Sequence, residues 1–354
     1  MTLSVFAFVC LQAAATAWNL PAPSFISEQK VYTAQDGTKF RVETVLENLV
    51  IPWSIAFDRA GNLYFTERPG RLQVLRKGEK LLHLIASLDE VRHQGEGGLM
   101  GLALHPDFER NKYLYLSYTY SVRRGLANKV VRFRLKNWAL TDRKEIIADI
   151  PGSAVHNGCR IKFGPDGKLY VTTGDAAERE IAQDLGSLGG KVLRLNDDGS
   201  IPKDNPDPHS PVYTFGMRNP QGLAWHPVSG VLFETEHGPS GFDGPGGGDE
   251  VNILEGGRNY GWPIIHHRQR KPGLESPFLE YTPALAPASA MFYAGNVFPT
   301  FRNNFFFGCL RGLMVSSTSA RATGTGELND FPMMTGFSGL SRSGEKKEFR
   351  AFFP

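Results

Sequence analysis

Cysteine is scarce in this chain of 354 residues: Cys10 lies in an apolar leader, which leaves Cys159 and Cys309. Two cysteines make no disulfide framework, so buried free thiols are expected, with a Cys159–Cys309 bridge as the alternative in an oxidising compartment. After the leader, no stretch approaches the roughly 18 uninterrupted apolar residues that a membrane-crossing helix needs, so no membrane span is expected. Neither sign of charge dominates: 39 Lys and Arg face 36 Asp and Glu, for a net charge of +3. Without a basic run carrying interleaved aromatics, nucleic acid is not expected as a partner. The phosphate-cradling loops of P-loop and Rossmann folds are missing too, which argues against a nucleotide cofactor. Helical patterning is nearly absent. Residues 177–188 could form a short helix, but Gly186, Gly189 and Gly190 interrupt it.

What the chain has instead is 39 glycines and 23 prolines, spread along its length as turns are in an all-β fold. Its first segment, LSVFAFVCLQAAATA, ends in Ala15-Thr16-Ala17, which resembles a cleavage site. It reads as a signal peptide over residues 1–17, followed by an extension over 18–40, and predicts a periplasmic or secreted protein.

A weak repeat organises the rest. Ile55-Ala56-Phe57 leads through a polar turn to Leu63-Tyr64-Phe65-Thr66, and Leu102-Ala103-Leu104 leads to Tyr113-Leu114-Tyr115. Ile161-Lys162-Phe163 and Leu223-Ala224-Trp225 open the same pattern, closing in Leu169-Tyr170-Val171-Thr172-Thr173 and Val231-Leu232-Phe233-Glu234-Thr235. Each is a hairpin in sequence form, with alternating runs around turns of Asp-Gly type. They recur roughly every 50–60 residues, the length of a propeller blade with inserted loops. The expectation is an all-β, six-bladed β-propeller of four-stranded antiparallel blades over residues 41–312. Beyond it, residues 313–354 lose the alternation and read as a divergent or truncated last blade.

Polar clusters stand where the hairpins end, and such loops carry function in a propeller. They are Gly95-Glu96-Gly97-Gly98, His156-Asn157-Gly158-Cys159-Arg160, Arg218-Asn219-Pro220-Gln221, and Glu236-His237-Gly238-Pro239 with Asp249-Glu250 and Asn259-Tyr260-Gly261-Trp262 beyond it. A turn histidine such as His156 suits a general base, or simply makes turn hydrogen bonds. Arg218 beside Asn219 suits a carbonyl or carboxylate, or a structural loop. Oxygen donors on glycine-rich loops suit a hard cation such as calcium.

Taken in this order, the blocks Pro52-Trp53-Ser54, Thr66-Glu67-Arg68-Pro69-Gly70-Arg71-Leu72, His156-Asn157-Gly158, Gly216-Met217-Arg218-Asn219-Pro220-Gln221-Gly222, Glu236-His237-Gly238-Pro239 and Asn259-Tyr260-Gly261-Trp262-Pro263 resemble the soluble PQQ-dependent aldose sugar dehydrogenases. The resemblance implies oxidation of a small aldose at its anomeric carbon, with PQQ and calcium as cofactors. It casts His156 as the base and Arg218 as the group polarising the cofactor carbonyl. Glu96, Asn219, His237 and Arg311 would contact the cofactor or its surroundings. The backbone oxygens of Gly238 and Pro239 would ligate one calcium, and Glu250 with the main chain of Tyr260 a second. The charge pattern singles out no electron acceptor. Cys159 stands where these enzymes usually carry glycine, and Val155 where the glucose enzymes often carry an acid. The alternatives are a calcium-dependent sugar lactonase or a non-catalytic binding propeller.

Overall fold

The computed structural model describes residues 30–34, 37–310, 315–319 and 349–351. Its strands form six sheets, four of them four-stranded and two three-stranded among the described residues. Four meanders follow the sequence repeat. The first is Pro52–Phe57, Leu63–Glu67, Arg71–Leu75 and Leu82–Ser87, and the second Leu99–Leu104, Tyr113–Val122, Gly125–Lys136 and Ala139–Gly152. The third is Ile161–Phe163, Leu169–Thr173, Lys191–Leu195 and Val212–Phe215, and the fourth Pro220–Trp225, Leu232–Glu236, Asp249–Leu254 and Leu279–Tyr281. A three-stranded sheet of Pro287–Phe292, Asn304–Cys309 and Val315–Ser319 comes next. The sixth sheet joins Lys30–Thr33 and Lys39–Leu46 to Phe349–Ala351, pairing Leu46 with Phe349 and Glu43 with Ala351. The expected leader over 1–17 lies outside the described residues. Where the sequence allowed a short helix, only the 3-10 turn Arg179–Ala182 forms.

The packing shows why the blades stack. Leu63–Glu67, Leu169–Thr173 and Leu232–Glu236 are buried at every position, since both faces of a central strand meet neighbouring sheets. Successive side chains point to opposite faces, so one strand serves two cores. Leu169 and Val171 join Tyr115 and Val130 of the preceding sheet, whereas Tyr170 turns to Leu223 and Leu254 of the following one. Leu114 and Leu116 likewise pack with Tyr64 and Val74 of the sheet before, while Tyr115 faces the sheet after. A sheet removed from the series would expose apolar residues on both sides, so the fold is stable only as an arrangement of neighbours.

The first strands of five sheets line the inner side of the arrangement. Pro52–Phe57 packs on Leu99–Leu104, Leu99–Leu104 on Ile161–Phe163, and Pro220–Trp225 on Pro287–Phe292. Two cations cross this centre. Arg160 donates from Nε to the Gln221 carbonyl (2.9 Å) and from a terminal nitrogen to Ser54 Oγ (3.2 Å), and lies over the Trp53 ring. Lys162 Nζ donates to the carbonyls of Leu223 (2.9 Å) and Ala290 (3.1 Å). Burial pushes both down, Arg160 to about 9 and Lys162 to about 8. Carbonyl dipoles from neighbouring sheets thus stand in for counter-ions and tie the inner strands together.

Candidate active site

The turn between Gly152 and Ile161 carries His156. Three residues in this short stretch have left-handed backbones: His156 (φ 55°), Gly158 (φ 61°) and Cys159 (φ 67°). Glycine adopts that region freely, but other residues pay about 1–2 kcal/mol there, so the turn is held by its surroundings. Glu96 Oε2 accepts from the His156 amide (2.9 Å), and Asn219 Oδ1 from the Gly158 amide (3.1 Å). The Cys159 amide donates to the Thr172 carbonyl (2.7 Å). A Cβ on Gly158 would stand 2.8 Å from the Thr172 oxygen, so only glycine fits. Cys159 is a free, buried thiol pushed up to about 12 by burial, and Cys309 is also free, so the free-thiol reading holds and the disulfide alternative does not.

The His156 ring is oriented from behind. Its Nδ1 lies 2.8 Å from Asp175 Oδ1, which also accepts from the Ala177 amide (2.8 Å). The other oxygen, Oδ2, accepts from Trp262 Nε1 at 2.8 Å. Asp175 is fully buried. A carboxylate can only accept, so Nδ1 carries the proton and Nε2 keeps its lone pair.

Arg218 is joined to the same segment. The Asp175 amide donates to the Arg218 carbonyl (2.8 Å), which fixes the two segments together. The Arg218 and Asn219 amides both donate to Glu236 Oε1. The Arg218 guanidinium donates from Nε to Asp243 Oδ2 (2.7 Å), from one terminal nitrogen to the His237 carbonyl (3.2 Å) and from the other to Ser240 Oγ (2.8 Å). One N–H is left on each terminal nitrogen. The guanidinium carbon stands 5.6 Å from the Trp262 ring centre, so Trp262 touches both halves of the site. His237 Nε2 donates to the Pro287 carbonyl (2.8 Å), and burial lowers its basicity.

The glycine turn after His237 is equally tight. Asp249 Oδ1 accepts from the Gly238 amide (2.9 Å), while Oδ2 accepts from Leu285 and Ala286 (each 2.6 Å). A Cβ on Gly238 would stand 2.2 Å from the Gly248 oxygen and 2.4 Å from the Gly247 oxygen. Glu250 lies on the face it shares with Glu236 and Glu234, and Asn252 donates to both Glu234 and Glu250 (each 3.2 Å). Burial, then mutual repulsion, raises Glu234 and Glu250 well above the usual carboxylate range. Glu236 is pushed up to about 7, chiefly by burial, against the two amides that stabilise its charge. Tyr260 sits in the following loop, its hydroxyl donating to the Ile253 carbonyl (2.7 Å). Among the described residues, no three His, Cys, Asp or Glu side chains are grouped to hold a metal.

The structure therefore brings Glu96, His156, Arg218, Asn219 and His237 into one hydrogen-bonded network at the same end of the inner strands. Arg311 lies outside the described residues. Sequence reasoning missed Asp175, Asp243 and the double role of Trp262. The signal for Asp175 was available: it stands just past a fully buried strand, where the other site loops emerge. Asp243 had no such signal, since its glycine-rich setting gives no register.

The model of the family described as glucose/sorbosone dehydrogenase matches residues 49–330. The aldose sugar dehydrogenase YliI of Escherichia coli is 34% identical over 295 residues, covering 76% of this chain and 78% of its own. A crystal structure of a putative oxidoreductase (glucose dehydrogenase) from Thermus thermophilus superposes with TM-score 0.73 at 42% identity, covering 81% of this chain and 84% of that one. The PQQ-bound aldose sugar dehydrogenase of Streptomyces coelicolor superposes with TM-score 0.70 at 28% identity, over 93% of this chain and 86% of that one. The chain belongs to the glucose/sorbosone dehydrogenase family, and its class is that of oxidoreductases acting on the CH–OH groups of sugars. None of the helices among the described residues is long and apolar enough to cross a membrane.

Proposed function

We propose that this protein oxidises aldoses at the anomeric carbon to lactones, with PQQ as the hydride acceptor and His156 as the base. The observation that carries the proposal is the buried relay Trp262–Asp175–His156, which fixes the tautomer that leaves the Nε2 lone pair free, on a segment tied to Arg218 through the Asp175 amide. When bound, PQQ supplies an electrophilic carbonyl that takes up an electron pair with hydrogen.

The residues present suit that group. Its anionic character is matched by Arg218 with its two uncommitted N–H groups, and by Arg68, whose Nε is buried without a partner. Arg68 donates to the Gly95 carbonyl next to Glu96, the residue that accepts from the His156 amide, so this second guanidinium belongs to the same cluster of loops. For calcium the candidates are the Gly238 and Pro239 carbonyls, with Glu250 and the Tyr260 main chain at a second position. A set made mostly of carbonyls fits a hard cation whose shell the cofactor would complete.

The chain's own part is positional and electrostatic. His156 Nε2 receives the proton of the anomeric hydroxyl as the hydrogen on that carbon leaves with its electron pair. Asp175 stabilises the imidazolium so formed and prevents the ring from flipping. Arg218 is fixed through its amide, carbonyl and side chain, so it meets developing negative charge with little reorganisation. An exported location, periplasmic or secreted, belongs to this proposal, as does the small aldose as partner.

The test is reconstitution with PQQ and calcium, followed by dye reduction with a panel of aldoses. His156→Ala is expected to lose about 10²–10⁴-fold in turnover while still binding PQQ. A variant with undiminished turnover would remove His156 from the chemistry. Hydrolysis of a lactone without dye reduction would favour the lactonase alternative.

A further inference from the structure

Residues 239–248 form a loop that closes on itself, the Gly247 amide donating to the Pro239 carbonyl (3.2 Å). Its base is anchored where the Gly248 amide meets Thr282 Oγ1 (2.9 Å). Between these points the backbone is held chiefly at Ser240, Asp243 and Gly244, where an added Cβ would meet Pro239 at 2.9 Å. Gly241, Gly246 and Gly247 supply the flexibility, and Cβ atoms added at Gly241 or Gly246 would meet no other atom closer than 4.0 Å. The tip nevertheless reaches into the site. Asp243 Oδ2 accepts from Arg218 Nε at 2.7 Å, with side chains 6% and 2% exposed, and its Oδ1 accepts from the Ser240 amide (2.9 Å). Next to it, Phe242 remains 72% exposed, yet its ring lies nearly parallel to that of His156, with centres 6.3 Å apart. Arg179, on the 3-10 turn, donates to the Asp243 carbonyl (3.0 Å).

An exposed aromatic over the base and a buried carboxylate on the neighbouring cation are unusual features for a loop so rich in glycine. Hydrophobic burial does not hold Phe242 there. The Asp243–Arg218 ion pair does, in a place where little water competes. Any anionic group that uses Arg218 must contend with this carboxylate.

We infer that residues 239–248 are a latch over the site, that Asp243 is the internal counter-ion of Arg218 holding it shut, and that the anionic ligand of the pocket opens it by competing for Arg218. The inference rests on the proposed cofactor only for the identity of that ligand. The apparent affinity of such a site is reduced by the fraction of molecules whose latch is open. Removing the Asp243 charge therefore raises affinity, opposite to the effect of removing a ligand-binding residue.

Two measurements on the full chain test this. Hydrogen exchange over residues 239–248 is followed without ligand in the wild type, Asp243→Asn and Asp243→Glu. Binding of PQQ with calcium is then titrated by tryptophan fluorescence. Asp243→Asn is expected to exchange at least about tenfold faster in the loop and to bind PQQ about 5–50-fold more tightly; Asp243→Glu, which keeps the charge, stays close to the wild type. Unchanged exchange in Asp243→Asn overturns the latch. Weaker PQQ binding by Asp243→Asn also overturns it, since Asp243 would then help to build the site. Faster exchange with no PQQ binding by any of the three proteins supports the latch and counts against the cofactor reading instead.

Discussion

The two halves of the site are held in place by different means. The His156 half is a turn locked into the body of the fold: left-handed residues close together, side-chain acceptors from Glu96 and Asn219, and an imidazole backed by a buried carboxylate and an indole. The Arg218 half has a backbone just as fixed, through Glu236 and the Asp175 amide, but its guanidinium is met by a glycine loop with open space at Gly241 and Gly246. In the proposed reaction His156 is the base, and a fixed tautomer and aim serve that role. In the same proposal Arg218 receives an anionic group, and a partner that can leave serves that role. Precision and access are thus divided between two neighbouring loops.

The sharpest way to break this comparison is at Asp175. Asp175→Asn leaves the shape of the site but can reverse the hydrogen bond to His156 Nδ1, stabilising the wrong tautomer. Turnover with saturating aldose is expected to fall by about 10²–10⁴-fold with PQQ affinity nearly unchanged, as read by dye reduction beside fluorescence titration. A fall in PQQ affinity of similar size would mean that Asp175 builds the cleft rather than aims the base.

A pair of glycine substitutions compares the two loops directly. Gly158→Ala places a methyl group 2.8 Å from the Thr172 oxygen at φ +61°. It is expected to cost about 2 kcal/mol or more in chemical denaturation. Gly246→Ala meets only the Gly241 nitrogen, at 4.0 Å, and is expected to change stability by less than about 0.5 kcal/mol. Equal costs would erase the distinction between a locked turn and a free loop.

An effect smaller than that of Gly158→Ala concerns the centre on which both loops stand. Lys162 is lowered from 10.5 to about 8 by burial. The unfolded chain therefore holds this proton up to higher pH than the folded one, so stability from this group is present above about 10.5, declines as pH falls, and is lost below about 8. Water still reaches part of the side chain, which limits the change to about 1–2 kcal/mol. Lys162→Met should flatten the stability curve across that window.

Much of this was legible beforehand. Hairpins such as Ile161-Lys162-Phe163 to Leu169-Tyr170-Val171 show their strand period and turn residues in the sequence itself, and the meander follows because short polar turns join neighbouring strands. His156, Arg218 and Asn219 could be singled out because they sit in loops flanked by Gly and Pro, away from any apolar face. Asp175 and Asp243 could not be given partners, because their partners lie far along the chain. Trp262 meets Asp175 from a different sheet's loop, and only packing brings the two together.

Local order decides where strands begin, where turns fall and which residues reach the loops, because these depend on backbone sterics and side-chain alternation within a few residues. By itself the sequence therefore determined an all-β repeat with its polar clusters at the strand ends. The tertiary structure alone decided which nitrogen of His156 keeps its lone pair, which carboxylate neutralises Arg218, and how Arg160 and Lys162 are satisfied by carbonyls at the centre. Those outcomes depend on distances between segments that only the stacking of sheets can set.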